Sequence, residues 1–149
     1  MIDYENLFNL TYYGYCFSES LRIEPPVTYS SVCFLTKDCK IGKYMVKKDE
    51  MFIVDMHHLH HNAEQWPEHE KFIPERFDST SKYFLTSKGE KRHHMAFAPF
   101  LGGKRICLGK TFVEIISKII GPTIIGHFDF EYLDEENRKH KPANSLIVL

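Results

Sequence analysis

One stretch of ten residues constrains this 149-residue chain more than any other. It runs from Phe100 to Gly109 with the sequence FLGGKRICLG, which contains the spacing F-x-x-G-x-R-x-C-x-G. At roughly one in twenty per residue type, five fixed positions match by chance about once in three million starts. A chain of this length would therefore show the pattern in roughly one case in twenty thousand. We interpret the stretch as a functional loop built around Cys107.

The residues after Cys107 place its thiol at a helix start. Apolar residues at helical spacing predict a helix over residues 108–120 that ends at Gly121 and Pro122. They are Leu108, Phe112, Ile115, Ile116 and Ile119. The unpaired N–H groups and the positive dipole end of such a helix would favour the thiolate, which is the form that binds metal. The alternative is an inert buried thiol, the usual state of a free cysteine.

The flanking residues suit a haem group bound at Cys107. A cysteine thiolate on haem iron donates electron density that favours O–O cleavage. Gly103 supplies a turn that a residue with a Cβ resists, and Gly109 lets the backbone come close. The planar fork of Arg105 can bind a haem propionate, while Phe100 would pack beside the macrocycle. We therefore predict a haem site in which Cys107 is the axial iron ligand.

Two further motifs occur upstream of this loop. Glu19-Ser-Leu-Arg22 is followed by two prolines, and Phe72-Ile-Pro-Glu-Arg76-Phe is preceded by Trp66 and a proline. A Glu/Arg pair at this spacing is by itself usually a solvated ion pair worth a few tenths of a kcal/mol. In this order, however, the three motifs resemble the ExxR helix, the PERF segment and the cysteine loop of the cytochrome P450 superfamily. The resemblance covers the chain from about residue 4 to its end.

The resemblance implies a fold and a structural cluster. The expected fold class is α+β, as the C-terminal part of the mostly α-helical cytochrome P450 fold of a eukaryotic member. Residues 1–149 would form one partial domain with an ExxR helix, a small antiparallel sheet, a meander, the cysteine loop and a following helix. In the family, the Glu and Arg of the helix and the Arg of PERF form a buried triad. In this chain those residues are Glu19, Arg22 and Arg76.

The resemblance also implies a function, a haem-thiolate monooxygenase that contains haem b and acts on a small apolar substrate. An NADPH-dependent reductase or another donor would supply electrons to the intact enzyme. Oxygen activation in the family needs a long distal helix with an acid-Thr pair, and nothing similar occurs in this sequence. We therefore assign no catalytic residue and expect the isolated chain to be inactive. The alternative is a non-catalytic, truncated remnant with weak or no haem binding.

Composition excludes some other classes. The 19 basic and 20 acidic residues nearly cancel, so the positive charge of a nucleic-acid binder is missing. No apolar stretch approaches the roughly 18 residues needed to span a bilayer, and no signal peptide follows Met1. The spacing of the four cysteines matches no CxxC pattern, which indicates reduced thiols in a cytosol-facing chain. Intact eukaryotic members of the family usually lie at the endoplasmic reticulum membrane.

Local patterns predict the remaining elements. We expect helices at residues 10–23 and 63–65, and strands at residues 32–35, 43–46, 51–55 and 128–132. The turn at residues 47–50 contains Asp49 where the family usually has glycine, and Asp tolerates a left-handed conformation less well. The family often has a basic residue near Val32 that meets a propionate. This chain has none there, so Arg105 would carry more of that contact.

Histidines and lysines outside the motifs leave alternatives open. His57, His58, His60 and His61 suggest either a zinc site or, as we favour, a helix start or turn. The pair His93-His94 could reach a propionate or lie in solvent. A basic patch around Cys107 could attract an acidic electron-transfer partner, although an ordinary solvated surface is slightly favoured. Its members are Lys88, Lys91, Arg92, Lys104 and Lys110.

Overall fold

The computed structural model describes residue 6 and residues 9–130. Three helices and four short strands occur in this part of the chain, which confirms the α+β class. The helices are α1 (Thr11–Ile23), α2 (Met56–His60) and α3 (Lys110–His127), and the strands are β1 (Cys33–Phe34), β2 (Cys39–Ile41), β3 (Tyr44–Val46) and β4 (Met51–Phe52). Short 3-10 turns occur at Pro74–Phe77, Lys82–Phe84, His94–Ala96 and Gly103–Arg105.

Helix α1 has the predicted position. In its last backbone hydrogen bond, the Glu24 N–H donates to the Ser20 carbonyl. Pro25 and Pro26 then prevent the helix from continuing. The buried face of α1 consists of Glu19, Leu21 and Arg22. Two of these three residues are charged, so this face can be buried only if the charges pair with each other and with partners from other parts of the chain.

The strands form two separate antiparallel pairs. Strand β1 pairs with β4, with Cys33 opposite Phe52, and β2 pairs with β3, with Lys40 opposite Met45. We predicted one small sheet and missed β2, whose three residues lack a periodic pattern. In the turn between β3 and β4, Asp49 has φ = 66°. Asp49 therefore adopts the left-handed conformation at the position where the family usually has glycine.

Helix α2 lies seven residues before the predicted helix at residues 63–65. Asp55 explains the shift, because its carboxylate accepts a hydrogen bond from the His58 N–H at 2.8 Å and caps the helix. Residues 62–66 instead form a turn, in which the Trp66 N–H donates to the Asn62 carbonyl. The prediction at residues 63–65 was wrong because it gave too little weight to an N-cap Asp.

Helix α3 also differs from its prediction, since it begins at Lys110 and continues through Gly121 and Pro122 to His127. Gly121 does not end the helix but allows a close contact. A Cβ at this position would lie 2.0 Å from the Tyr13 hydroxyl, which donates to the Ser117 carbonyl at 2.8 Å. Packing of α1 against α3 therefore overrides the local stop signal.

The predicted strand at residues 128–132 is only partly described. Residues 128–130 follow α3 without forming a named strand, and residues 131 and 132 lie outside the described part of the chain. Among the helices of the described residues, none combines the length and apolar character needed to cross a membrane.

Candidate haem-thiolate site

The cysteine loop is closed by its own backbone. The Cys107 N–H donates to the Phe100 carbonyl at 2.9 Å, and the Leu101 N–H donates to the Ala98 carbonyl at 2.9 Å. Two residues inside the loop are left-handed, Gly103 at φ = 63° and Leu101 at φ = 60°. A glycine adopts this conformation without cost, whereas a residue such as leucine stores roughly 1–2 kcal/mol of strain. The loop is thus a tight and partly strained turn.

Cys107 lies at the N-terminal end of α3. The thiol is free and exposed, and the Lys110 N–H donates to the Cys107 carbonyl at 3.3 Å where the helix begins. The positive end of the helix dipole therefore lies beside the sulfur. A Cβ on Gly109 would meet the Cys107 Sγ atom at 3.9 Å. This is an ordinary van der Waals distance, so a methyl group at this position would lie against the sulfur without a clash.

A cavity of about 870 Å³ adjoins the loop, within the range typical of cofactor pockets. Residues 30–34, the segment from Phe52 to Leu59 and the loop up to Ile106 contribute to its wall, which is mainly apolar. Arg105 and Lys104 add cationic groups, and the lining stops one residue before Cys107. An apolar wall with cations beside an exposed thiol fits a flat apolar macrocycle with carboxylates.

The predicted site residues are not all placed alike. Arg105 lines the cavity, and Gly103 forms the left-handed turn that precedes it. Cys107 and Gly109 follow in the chain, just after the last lining residue, Ile106. Phe100 is half-buried, and its described contribution is the carbonyl that closes the loop.

The structure brings Glu19, Arg22 and Arg76 together in a fully buried ion cluster. Both Glu19 carboxylate oxygens accept from Arg22, at 2.8 and 2.9 Å, and one of them also accepts from Arg76 Nε at 3.1 Å. The Ile73 N–H donates to the same oxygen at 2.9 Å. Such a complete set of partners is what allows a carboxylate to be buried.

The two arginines of this cluster also hold backbone segments. Arg22 donates to the carbonyls of His60 at 3.0 Å and Lys71 at 3.2 Å. Arg76 donates to the carbonyls of Pro67 and Glu68, the second at 2.7 Å. Residues 60–76 have little regular structure, so their carbonyls need partners other than a helix or sheet. The guanidinium groups supply them and attach this segment to α1.

Sequence reasoning missed Arg92, which we assigned to a basic surface patch. Its guanidinium is directed inward and donates to the carbonyls of Gln65 at 3.0 Å and Phe84 at 2.8 Å, with further bonds to those of Arg76 and Tyr83. It also lies 4.3 Å from the centre of the Trp66 ring. Burial, followed by the charge of Arg76, lowers the pKa of Arg92 to about 10. No local sequence signal separates such an arginine from an exposed one.

The remaining members of the basic patch and the histidines are now located. Lys88 forms an ion pair with Glu64, and Lys110 lies 3.9 Å from Glu114, so the free patch is smaller than expected. His93 and His94 are exposed and contact each other. Within the described residues, no group of three or more His, Cys, Asp or Glu side chains is arranged to hold a metal ion.

Comparison with known proteins identifies the family. A family model described as cytochrome P450 matches residues 1–149. Cytochrome P450 4F12 of Homo sapiens is 34% identical over 131 residues, which are 87% of this chain and 23% of that protein. Cytokinin hydroxylase of Arabidopsis thaliana is 35% identical over 146 residues, which are 97% of this chain and 26% of that protein. The chain belongs to the cytochrome P450 family.

A solved structure supports the same fold. The retinoic acid-bound cyanobacterial CYP120A1 superimposes with a TM-score of 0.75 and 28% sequence identity, over 84% of this chain and 28% of that chain. The described elements therefore have the arrangement found in part of a cytochrome P450. The chain spans about a quarter of the length of the relatives it matches.

Proposed function

We propose that this chain is the haem-binding part of a cytochrome P450 monooxygenase, with Cys107 as the axial ligand of haem b. The observation that carries the proposal is the position of Cys107. Its exposed thiol lies at the N-terminal end of α3, in a closed loop next to a cavity of about 870 Å³. A thiolate-bound haem would supply the capacity for O–O cleavage.

The other residues of the chain have separate roles in this proposal. Arg105 binds a propionate with its planar fork, Gly103 gives the loop its turn, and Gly109 lets the backbone come close. Phe100 packs near the macrocycle while its carbonyl holds the Cys107 amide. Glu19, Arg22 and Arg76 are structural. None of these residues supplies a proton to oxygen.

The test of the ligand is spectroscopic. We expect the ferrous carbonyl complex of the haem-loaded chain to show the red-shifted Soret band of thiolate ligation, and Cys107→Ala to abolish it. Cys33→Ala is the matched control, because Cys33 lines the same cavity but lies outside the cysteine loop. An unchanged band in Cys107→Ala would refute the assignment. Loss of the band in Cys33→Ala would mean that the assignment to Cys107 names the wrong cysteine.

Arg105 is tested by affinity. A charge-assisted hydrogen bond is worth roughly 1.5–3 kcal/mol, so Arg105→Ala should weaken haem binding roughly ten- to hundredfold in a titration. Lys104→Ala is the control, since Lys104 precedes Arg105 and lines the same cavity but lacks the planar fork. Equal losses in both variants would indicate a general effect of positive charge.

We propose further that the 149 residues alone do not oxidise a substrate, because the sequence contains no acid-Thr pair for proton delivery. In the intact enzyme, an NADPH-dependent reductase or another donor would supply electrons, and the substrate would be small and apolar. The alternative is a non-catalytic remnant with weak or no haem binding. If the unmodified chain shows no red-shifted band, the chain is such a remnant. A hydroxylated product formed by these residues with a reductase would refute the proposal that they are inactive.

A further inference from the structure

His60 is a fully buried polar residue to which the proposed function gives no role. It is the last residue of α2 and is completely inaccessible, like Glu19, Arg22 and Arg76. Its backbone and its side chain contact two different parts of the molecule. A buried imidazole is costly unless its hydrogen bonds are made, so these two contacts indicate what the residue does.

The backbone of His60 contacts the ion cluster, because its carbonyl accepts from Arg22 Nη1 at 3.0 Å. The side chain contacts the segment that leads into the cysteine loop, where the Ala98 N–H donates to Nε2 at 3.1 Å. The Ala98 carbonyl in turn accepts from the Leu101 N–H at 2.9 Å. A continuous set of hydrogen bonds therefore runs from α1 through His60 to the turn before Cys107.

The bond to Ala98 requires a neutral imidazole. Nε2 can accept an N–H only when it carries no proton, so the proton must be on Nδ1. Burial, then the charges of Arg22, His61 and His57, lower the pKa of His60 to about 4, and the nearby Leu21 backbone opposes this shift. Nδ1 makes no hydrogen bond of ordinary geometry with the described residues.

We propose that His60 is a positioning residue for the cysteine loop, in which Nε2 holds the Ala98 amide and so fixes the loop relative to the ion cluster. This inference rests on the proposed role of Cys107 as the haem ligand. A residue that only filled space would be replaceable by an apolar side chain of similar size. A positioning residue needs an acceptor atom at the place of Nε2.

Three substitutions separate these roles. His60→Gln keeps an acceptor oxygen near the position of Nε2, His60→Asn places its oxygen nearer to Nδ1, and His60→Leu has no acceptor. Loss of the bond should speed hydrogen exchange of the Ala98 amide by about tenfold or more. We expect this in the Leu and Asn variants of the haem-free chain, with near-normal exchange in the Gln variant. His58→Leu is the control, because His58 is exposed on the same helix.

The haem-loaded chain gives the second measurement. His60→Leu and His60→Asn should convert a substantial part of the ferrous carbonyl spectrum from the red-shifted Soret band to the position without thiolate ligation. His60→Gln should keep the red-shifted band. If the Leu and Gln variants behave alike in both measurements, His60 has only a packing role and the proposal is wrong.

A measurement on the unmodified chain does not depend on whether the variants fold. Nitrogen-15 labelling should show a scalar coupling between the Ala98 amide nitrogen and Nε2 of His60 across their hydrogen bond, and its absence would overturn the proposal. A wild-type chain without a red-shifted band would refute the proposed role of Cys107. The coupling and the exchange rates in the haem-free chain would then still decide whether His60 holds the loop.

Discussion

The ion cluster and the cysteine end of the molecule are built in opposite ways. In the ion cluster, large charged side chains are completely buried, and each guanidinium donates to several acceptors. At the cysteine end, α3 contains no buried residue in its 18 positions, and Leu108 is 100% exposed. The cluster is the most buried part of the described chain, whereas the proposed chemistry lies at its surface.

This difference indicates that the ion cluster stabilises the fold, whereas the proposed haem chemistry takes place at the cysteine end. The guanidinium groups of Arg22 and Arg92 lie over the Trp66 ring, at 5.4 and 4.3 Å from its centre, and the Trp66 Nε1 donates to the Ala96 carbonyl. Polar side chains thus provide many of the buried contacts that apolar side chains provide in an ordinary core. Substitutions in the cluster should change the free energy of unfolding, and substitutions near Cys107 should change haem binding without unfolding the chain.

The largest expected effect is that of Arg22→Ala. Removing one partner of a buried ion network costs roughly 3–5 kcal/mol, because the remaining charges are left unpaired, and a loss of this size would unfold a marginal domain. Circular dichroism with urea would measure it. Arg105→Ala, at the exposed cysteine end, is the control and should change the free energy of unfolding by less than about 0.5 kcal/mol. Equal effects would abolish the distinction between the two regions.

Acid should weaken the cluster side of the molecule through His60. Its pKa of about 4 is below the ordinary value of 6.5, so the folded state binds fewer protons than the unfolded state between these values. The stability is complete above the ordinary pKa and is lost as the pH falls toward about 4. From about pH 7 to about pH 5 we expect a loss of about 2 kcal/mol in the free energy of unfolding.

His61 should also lower the free energy of unfolding as the pH falls, since burial lowers its pKa as well. Glu64 and Glu68, whose pKa values are lowered by hydrogen bonds from Lys88 and Lys71, lose their contributions only at more acidic pH. Urea unfolding at several pH values would measure the slope. His60→Gln should remove most of the slope above about pH 4.5, and a slope that is the same in this variant would contradict the expectation.

A third prediction concerns the contact that joins the two regions. Gly121→Ala would push a methyl group against the Tyr13 ring and its hydroxyl. Overpacking of this kind typically costs about 1–3 kcal/mol, against a gain of up to about 1 kcal/mol from replacing glycine in a helix. We expect net destabilisation of about 1 kcal/mol.

The same helix offers a matched control. Gly126 has nothing within 4 Å of a built Cβ, so Gly126→Ala should be neutral or stabilising by up to about 1 kcal/mol. In a Tyr13→Ala background, Gly121→Ala should also become stabilising. Thermal unfolding would measure all four variants, and a Gly121→Ala effect of unchanged sign in that background would exclude Tyr13 as its cause.

The sequence predicted the residues whose signals are local. Helix α1 follows from periodicity and two prolines, and the left-handed turn at Gly103 follows from the residue type. His60 and Arg92 could not be predicted, because their partners are carbonyls and amides distant in the sequence, such as the Ala98 amide. The passage of α3 through Pro122 was likewise decided by a tertiary contact, that of Tyr13. Local patterns do not encode such contacts.

The smallest effect is expected at Leu108. A leucine that is 100% exposed buries no surface within the described chain, so Leu108→Ser should change the free energy of unfolding by less than about 0.5 kcal/mol. Leu21→Ala is the counterpart on the buried face of α1 and should cost about 2–5 kcal/mol. Urea unfolding of both variants would compare them directly. A loss above about 1 kcal/mol for Leu108→Ser would mean that the cysteine end also contributes to the stability of this chain, and the contrast between the two regions would not hold.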